Sequence, residues 1–429
     1  MNVLLIGSGG REHALAWKLK QSKSVTRLVC PNGNPGISRE AETPRVHLPT
    51  PQSWAEYALA EKIDLVVIGP EQPLSEGVGD ALMQVGIPVF GPRKAAARLE
   101  SSKAFSKEVM RSAGIPTAAS ETFTDYAKAL DYARSLRFPV VVKADGLAAG
   151  KGVSICEDQA QLEQALGENL LQGRFGESSK QVLVEEFLHG QEASLLALCD
   201  GKDVFLLAPS QDHKRAHDGD LGPNTGGMGT YAPAPIVTEE VLSATLGSVM
   251  LPALREMERR GTPYVGVLYA GLMIAPSGEI NVLEFNCRFG DPETQVVLPL
   301  LDGDLALALL ACAEGRLATH LSPKSGHALT LRPESAACVV IASGGYPGEF
   351  AKGKVISGLD QDFGPNAMVF HAGTGLNNSG EVVTSGGRVL GVTAWGPTLR
   401  SAVDRAYGLT AKIHFDSMYY RKDIAHRAL

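Results

Sequence analysis

The chain has 429 residues, 44% of them hydrophobic and 20% charged, which is ordinary for a globular protein that buries several cores. Its net charge of −7, from 47 acids against 40 bases with no Lys/Arg block or basic stripe, argues against a nucleic-acid partner. There is no apolar run of the roughly 18 residues that a membrane span needs. Met1-Asn-Val-Leu-Leu-Ile reads as a core strand without a charged leader, so a cytoplasmic location is expected, with no membrane partner. Cys30, Cys156, Cys199, Cys287, Cys312 and Cys338 are scattered, which reads as packed reduced thiols without zinc or disulfides.

The first hundred residues alternate short apolar runs (Val3–Ile6, Arg27–Cys30, Asp64–Ile68, Val89–Phe90) with helical stretches such as His13–Lys20 and Trp54–Lys62. That alternation implies a parallel sheet covered on both faces. Gly7-Ser8-Gly9-Gly10-Arg11-Glu12-His13 joins the first strand to the first helix, and its amides and positive helix end suit an anion. Glu12 replaces the third glycine of a dinucleotide fingerprint, and Cys30-Pro31 stands where a ribose-binding acid would end the second strand. A phosphate-bearing substrate fits better than NAD. After Gly91-Pro92, Lys94 to Ser112 reads as one helix.

From about residue 120 the pattern becomes that of a small α+β lid: helix Tyr126–Leu136, strands Pro139–Lys143 and Val153–Cys156, helix Gln159–Leu171 and strand Gln181–Glu186. The loop Asp145-Gly-Leu-Ala-Ala-Gly-Lys-Gly-Val153 is not a P-loop, because Gly152 replaces the Ser/Thr and strand leads to strand. A glycine-rich hairpin tip with Gly150, Lys151 and Gly152 can still close its amides over a triphosphate, with Lys143 beside it as a point charge. Val182–Leu188, in which the apolar run meets Glu185 and Glu186, reads first as a plain strand with a charged end, and such a segment can also line an adenine slot.

Strands and helices resume from Glu192 to about Leu321; in the long helical stretch Glu239–Arg260, Pro252 is placed to kink or divide it. Asp212–Arg215 and Asp218–Gly229 read as a long polar, glycine-rich loop, whose amides with Asn224 and Thr225 suit a small zwitterion or an acyl phosphate. His213, between an acid and two cations, reads as a hydrogen-bonding residue as readily as a base. The most informative segment is Glu284-Phe-Asn-Cys-Arg-Phe-Gly-Asp-Pro-Glu-Thr-Gln295, after the apolar run Ile280–Leu283. Strand alternation puts Glu284 and Asn286 on one face, about 7 Å apart, with Arg288 and Asp291 close behind. A carboxylate and an amide oxygen suit Mg²⁺, which takes its remaining oxygens from water and phosphate, and a guanidinium beside them suits an anion. The same alternation turns Cys287 inward. Pro323 to His327 reads as a linker, followed by strands Cys338–Ala342, Val369–Ala372 and Val389–Ala394 and a helix Thr398–Lys412.

Together these segments resemble the ATP-grasp superfamily and, within it, the glycinamide ribonucleotide synthetase (phosphoribosylamine–glycine ligase) family. The resemblance rests on Gly7–His13, Gly69-Pro-Glu71, Ser102-Lys-Ala-Phe105, Lys143–Val153, Glu185-Glu-Phe-Leu188, Asp212–Arg215, Asn224-Thr-Gly-Gly-Met-Gly229 and Glu284–Gln295. It implies an α/β and α+β multidomain protein with an ATP-grasp fold. An N-terminal Rossmann-like domain would span 1–103, an ATP-grasp core 104–121 and 190–326, its lid 122–189, and a C-terminal β-rich domain 327–429.

The resemblance further implies ATP-dependent ligation of glycine to 5-phosphoribosylamine in purine biosynthesis, with Mg²⁺ or Mn²⁺, by a monomer or weak dimer. Lys103, Lys143, Glu185, Leu188 and Glu192 would contact ATP, with Gly150, Lys151 and Gly152 in the flap. Glu284 and Asn286 would hold the metal. Gly9, Gly10, Arg11 and Glu71 would face the phosphoribosylamine; Asp212, Asn224, Thr225, Arg288 and Asp291 would face glycine and the transferred phosphoryl group. Lys143, Arg288 and Asp291 would be the catalytic set. Two features depart from the general pattern: Pro31-Asn32-Gly33-Asn34 has an extra turn residue, and Tyr269-Ala-Gly-Leu-Met273 lacks the first metal carboxylate common in the superfamily. A sister ATP-grasp ligase or carboxylase would share the ATP site but lack the Asp212–Gly229 loop. The absent fingerprint disfavours a nicotinamide-dependent oxidoreductase, and the intact metal and phosphate residues oppose a silent ATP-binding regulator.

Overall fold

The computed structural model describes residues 1–147, 152–326 and 328–429, so the expectations for Gly150, Lys151 and His327 lie outside the described residues. Near the N-terminus, strands Arg27–Val29, Asn2–Ile6, Leu65–Ile68 and Val89–Phe90 lie side by side in that order, each parallel to its neighbour. Their buried Val, Leu and Ile side chains are covered by helices on both faces, as a parallel sheet requires. The sheet order reverses between Asn2–Ile6 and Leu65–Ile68, and in such folds ligands bind off the carboxyl ends of the strands at that point. The turns Gly7–Gly10 and Gly69–Glu71 leave the sheet there.

Glu12 decides the shape of those turns. It occupies the third position of helix Gly10–Lys20, and its Oε2 accepts the Gly9 amide at 2.6 Å. The side chain fills the space where Gly7 and Gly69 would carry a Cβ: 2.6 Å from Cγ for Gly7, and 2.2 Å from Oε1 for Gly69. Gly7 also has a φ of +121°, open chiefly to glycine. The residue that spoils the dinucleotide fingerprint is therefore the one that builds this turn.

The lid is an antiparallel sheet in the order Ser120–Phe123, Val182–Glu186, Val140–Ala144, Val153–Cys156, backed by helices Tyr126–Ser135 and Gln159–Leu166. Facing it is a second antiparallel sheet: Val204–Leu206, Gln191–Asp200, Val265–Ile274 and Ile280–Asn286. A third, with Ser335–Ser343 and Arg388–Gly396 at its centre, lies nearer the C-terminus. The six cysteines are buried and unpaired, and Cys287 does pack inward. Among the described residues no helix is long and apolar enough to cross a membrane.

Of three local expectations, two differ from the structure and one, at Pro252, is met. Lys94 to Ser112 is two helices, Arg98–Ser101 and Lys103–Ser112, because Ser102 is extended (φ −139°, ψ 110°) and caps the second, its Oγ accepting the Phe105 amide at 3.2 Å. Glu239–Arg260 is divided as Pro252 suggested, into Glu239–Thr245 and Leu251–Arg259 with a π turn at Leu246–Met250 between them, and Pro252 stands in the first turn of the second helix. The expected long loop 212–229 is largely strand: Arg215–His217 pairs with Leu221–Asn224 as a hairpin, while Gln211–Asp212 and Gly229–Ala232 join the third sheet. The hairpin pairs within the segment itself, while the segment's end, at Gly229, pairs with the distant strand Ser335–Ser343. Gly69→Ala should push Glu12 off the Gly9 amide and cost about 1–3 kcal/mol, seen as a lower denaturation midpoint; an unchanged midpoint would show that Glu12 does not lock the turn.

Candidate active site

A cavity of about 420 Å³ opens between the lid, the second sheet, helix Lys103–Ser112 and the N-terminal turns. Lys143, Gly146, Leu147, Gly152 and Val153 roof it, Leu283–Asn286 and Tyr269 form its floor, and Arg11, Glu71, Glu100 and Arg288 close one end. Asp212, Lys214 and Thr225 approach from the hairpin side, and Tyr346 and Arg388 from the third sheet.

Nearly every charge at this cavity already has a partner. Lys143, at the end of its lid strand, pairs with Glu185 on the neighbouring strand, and Lys107 reaches the same carboxylate at 2.8 Å. Burial works to raise the Glu185 carboxyl, but the two lysines outweigh it and hold it below its ordinary value. Burial likewise opposes the charge on Lys143, and Glu185 more than restores it. The Glu185 carboxylate is thus committed to lysines and does not line the cavity.

Arg288 follows the floor strand and is clamped from several sides. Its Nη2 lies 3.0 Å from Glu100 Oε1 and donates to Asn286 Oδ1 at 3.2 Å, and its Nε lies 3.4 Å from Glu71 Oε2. Burial disfavours the guanidinium charge, yet Glu100 and Glu71 raise its pKa further. Glu71, lifted by burial, is drawn back below its usual value by Arg288 and Arg11. Asp291 is countered by Arg388, 3.0 Å away, and receives Gln295 Nε2 at 2.8 Å; these hold it ionised against burial. Glu192 pairs with Lys214, which also lies 3.7 Å from Asp212. Burial pushes Asp212 up to about 6, over the opposing pull of Lys214.

Two lining charges stand apart. Lys103, first residue of its helix, donates to the Gly146 carbonyl at 3.0 Å and forms no ion pair among the described residues; burial lowers its pKa. Glu284, half-buried on the floor, makes neither a hydrogen bond nor an ion pair among the described residues, although Lys103 and Lys143 feel its charge. A carboxylate without a hydrogen bond or ion pair among the described residues, facing a cavity beside an amide oxygen that accepts from Arg288 and keeps a second lone pair, fits a hard divalent cation. Strand alternation had placed Glu284 and Asn286 together, and both line the cavity.

A second cavity, about 490 Å³, adjoins the first. Ser8, Gly9, Gly10, Asn32–Pro35, Arg45 and Gly373–Gly375 line it, while Asp291, Tyr346 and Arg388 line both. The Pro31–Asn34 loop is fixed by Asn34, whose Nδ2 donates to the Ser8 and His371 carbonyls, each at 2.8 Å. Gly226 and Gly227 are glycines for lack of room: a Cβ would lie 2.9 Å from Arg388 Cζ and 2.5 Å from Pro292 Cδ respectively.

The expected residues therefore divide. Lys103, Lys143, Gly152, Arg11, Glu71, Asp212, Thr225, Glu284, Asn286, Arg288 and Asp291 meet at the first cavity. Gly9 and Gly10 line the second, so Arg11 and Glu71 stand apart from them. Leu188, Glu192 and Asn224 line neither; Glu192 acts through Lys214, and Asn224 is exposed at the hairpin end. His213 is buried, with Nε2 accepting the Ala425 amide. Glu100, Lys107 and Arg388 went unread in the sequence, and Lys214 was read only within Asp212–Arg215; Glu100, Lys107 and Arg388 acquire meaning from partners far along the chain, as Lys214 does from Glu192.

The ATP-grasp (A) domain model of phosphoribosylglycinamide synthetase matches residues 101–294, its N domain residues 1–100 and its C domain residues 336–427. The chain is 50% identical to a phosphoribosylamine–glycine ligase of Synechocystis sp. and 49% identical to one of Caulobacter vibrioides, across 100% of this chain and 100% and 99% of theirs. A crystal structure of phosphoribosylamine–glycine ligase from Thermotoga maritima matches with a TM-score of 0.83 at 32% identity, covering 99% of this chain and 100% of that one. The biotin carboxylase domain of a Hydrogenobacter thermophilus 2-oxoglutarate carboxylase, solved with MgADP, shares the fold at a TM-score of 0.75 and 17% identity, covering 98% of this chain and 91% of that one. The chain thus belongs to the phosphoribosylglycinamide synthetase family, with an ATP-grasp fold.

Proposed function

We propose that the protein ligates glycine to 5-phosphoribosylamine at the expense of ATP, forming glycinamide ribonucleotide, ADP and phosphate. The reading is carried by the pairing pattern of the first cavity: the one lining cation without an acid and the one carboxylate without a partner, among the described residues, face the same space. Lys103 has an anion to gain, and Glu284 with Asn286 a cation. Glu284 and Asn286 would hold Mg²⁺ or Mn²⁺, whose charge would help neutralise the phosphates during transfer.

Glycine's carboxylate oxygen attacks the γ-phosphorus and the bond to the β-phosphate oxygen breaks, giving glycyl phosphate and ADP. The amine nitrogen of phosphoribosylamine then attacks the acyl carbon, phosphate leaves, and the nitrogen loses one proton as the amide forms. Such chemistry demands positioning and fixed charge more than a nucleophilic side chain. Lys143 and Lys103 face the phosphates from roof and wall, and Arg288, immobilised by Glu100 and Glu71, faces the transferred group. Asp212 takes the glycine ammonium. The second cavity, with the Gly9–Gly10 turn, holds the sugar phosphate, and Asp291 and Arg388 stand where the amine crosses into the first. The lid spanning 122–189 closes over the nucleotide. We place the reaction in the cytoplasm, in purine biosynthesis.

Four measurements test this. ADP release should require glycine and phosphoribosylamine together; release without glycine would point to a different ATP-grasp reaction. Glu284→Gln should weaken divalent-cation binding at least about tenfold in titrations with nucleotide present, while stability stays within about 0.5 kcal/mol because no protein contact is lost. Arg288→Ala should lower kcat/KM by at least about 10²-fold, equivalent to about 2.7 kcal/mol; near-normal turnover would remove Arg288 from the chemistry. The Asp212 carboxylate must be ionised to hold an ammonium, so kcat/KM for glycine should fall as pH drops through about 6. Because burial raises this acid, the native state binds its proton more readily than the unfolded chain, and the group's stabilising contribution wanes as pH rises from about 4 to 6. Asp212→Asn should lose the acidic limb of the glycine profile.

A further inference from the structure

The segment bearing Asp212 and Lys214 is held from behind by the last residues of the chain. Asp212 and Lys214 line the first cavity, while the intervening His213 turns away and is fully buried. Its Nε2 accepts the Ala425 amide at 2.9 Å. Arg427 donates from Nη1 to the Asp212 carbonyl at 3.2 Å and from Nη2 to Asp220 Oδ2 at 2.7 Å. Arg421, with 0% of its side chain exposed, donates Nη1 to Asp220 Oδ1 at 2.9 Å and to the Arg215 carbonyl at 3.1 Å; its Nε and Nη2 reach Asp423 at 2.7 Å each. Two backbone bonds close the seam: the Lys422 amide to Asp218 Oδ1 and the Gly219 amide to Asp423 Oδ2, both 2.8 Å.

His213, Asp220 and His426 bring possible ligand atoms within 4.8 Å of one another, which at first suggests a metal site. The hydrogen bonds oppose it. A neutral His213 that accepts an amide proton at Nε2 carries its own proton on Nδ1, leaving no lone pair for a cation. Both Asp220 oxygens are already taken by Arg421 and Arg427. The cluster is a clasp.

We infer that the tail Arg421–Arg427 is a positioning strap for the reaction, fixing Asp212 and Lys214 in register with the cavity, and that Arg427 is its key positioning residue. Asp212 cannot move into the cavity without drawing its carbonyl from Arg427 and His213 from Ala425. The functional half of this inference rests on the reading of Asp212 as the group that takes the glycine ammonium; the mechanical half does not. The Arg427 side chain is 25% exposed, so its replacement should leave the fold intact.

The test uses full-length Arg427→Ala, Arg427→Lys and Asp212→Asn proteins, with steady-state kinetics and amide hydrogen exchange over residues 211–217. Arg427→Ala should raise KM for glycine about tenfold, leave KM for ATP within about twofold, and speed exchange in that segment about tenfold, the scale of one charge-assisted hydrogen bond. Arg427→Lys should recover part of each effect, since an ammonium reaches one acceptor but not both, and it serves as the working variant if the alanine protein fails to fold. Unchanged exchange and unchanged glycine KM in both Arg427 variants would overturn the strap, whatever Asp212→Asn does. An equal rise in KM for ATP and glycine would also overturn it, as general loosening. Faster exchange in Arg427→Ala combined with an unaltered glycine KM in Asp212→Asn would support the strap and reject the assignment of Asp212.

Discussion

A charge removed from water must find a partner, and this constraint organises the whole site. Lone buried ions are so costly that proteins pair them or leave them neutral. Around the first cavity Lys143 and Lys107 share Glu185, Arg288 bridges Glu100 and Glu71, Arg388 meets Asp291, and Lys214 meets Glu192 and Asp212. Against that background Lys103 and Glu284, neither in an ion pair among the described residues, carry the proposal that phosphate and metal bind there. The paired groups fix the geometry; the unpaired ones receive what binds.

The fold supplies these charges from segments far apart in sequence. The N-terminal parallel sheet contributes Arg11 and Glu71 because its order reverses where their turns leave it. The lid strand contributes Lys143, the floor strand Glu284 and Asn286, and the third sheet Arg388. Arg388 also braces the Gly226–Gly227 turn and Asp291, so one residue ties the first cavity to the second. Phosphoryl transfer and amide formation need reactants held and charge neutralised, and a site distributed across rigid sheets meets that need without a covalent intermediate on the protein.

Much of this was legible in the sequence because it depends on local rules. Period-two alternation put Glu284 and Asn286 on one face and Cys287 on the other. The glycine turn after the first strand and the departure from the P-loop pattern between Asp145 and Val153 were equally visible. What stayed hidden was set by distance along the chain. Nothing near Arg288 announces Glu100, and nothing near Asp291 announces Arg388, because those pairs form only once the sheets pack. The 212–229 segment has the polar, glycine-rich composition of a loop, yet it folds on itself as a hairpin and its end at Gly229 joins a strand more than a hundred residues away. Ser102 broke an expected helix because its side chain caps the next one, a competition that helical periodicity does not register.

The account stands on a divalent cation and a triphosphate meeting at the floor strand under the lid. Crystals grown with Mn²⁺ and a non-hydrolysable ATP analogue, with data collected at the manganese edge, test it most directly. An anomalous peak bound by Glu284 and Asn286, with the phosphates between Lys103 and Lys143, is the predicted result. A nucleotide bound elsewhere, with no peak at that strand, would contradict it.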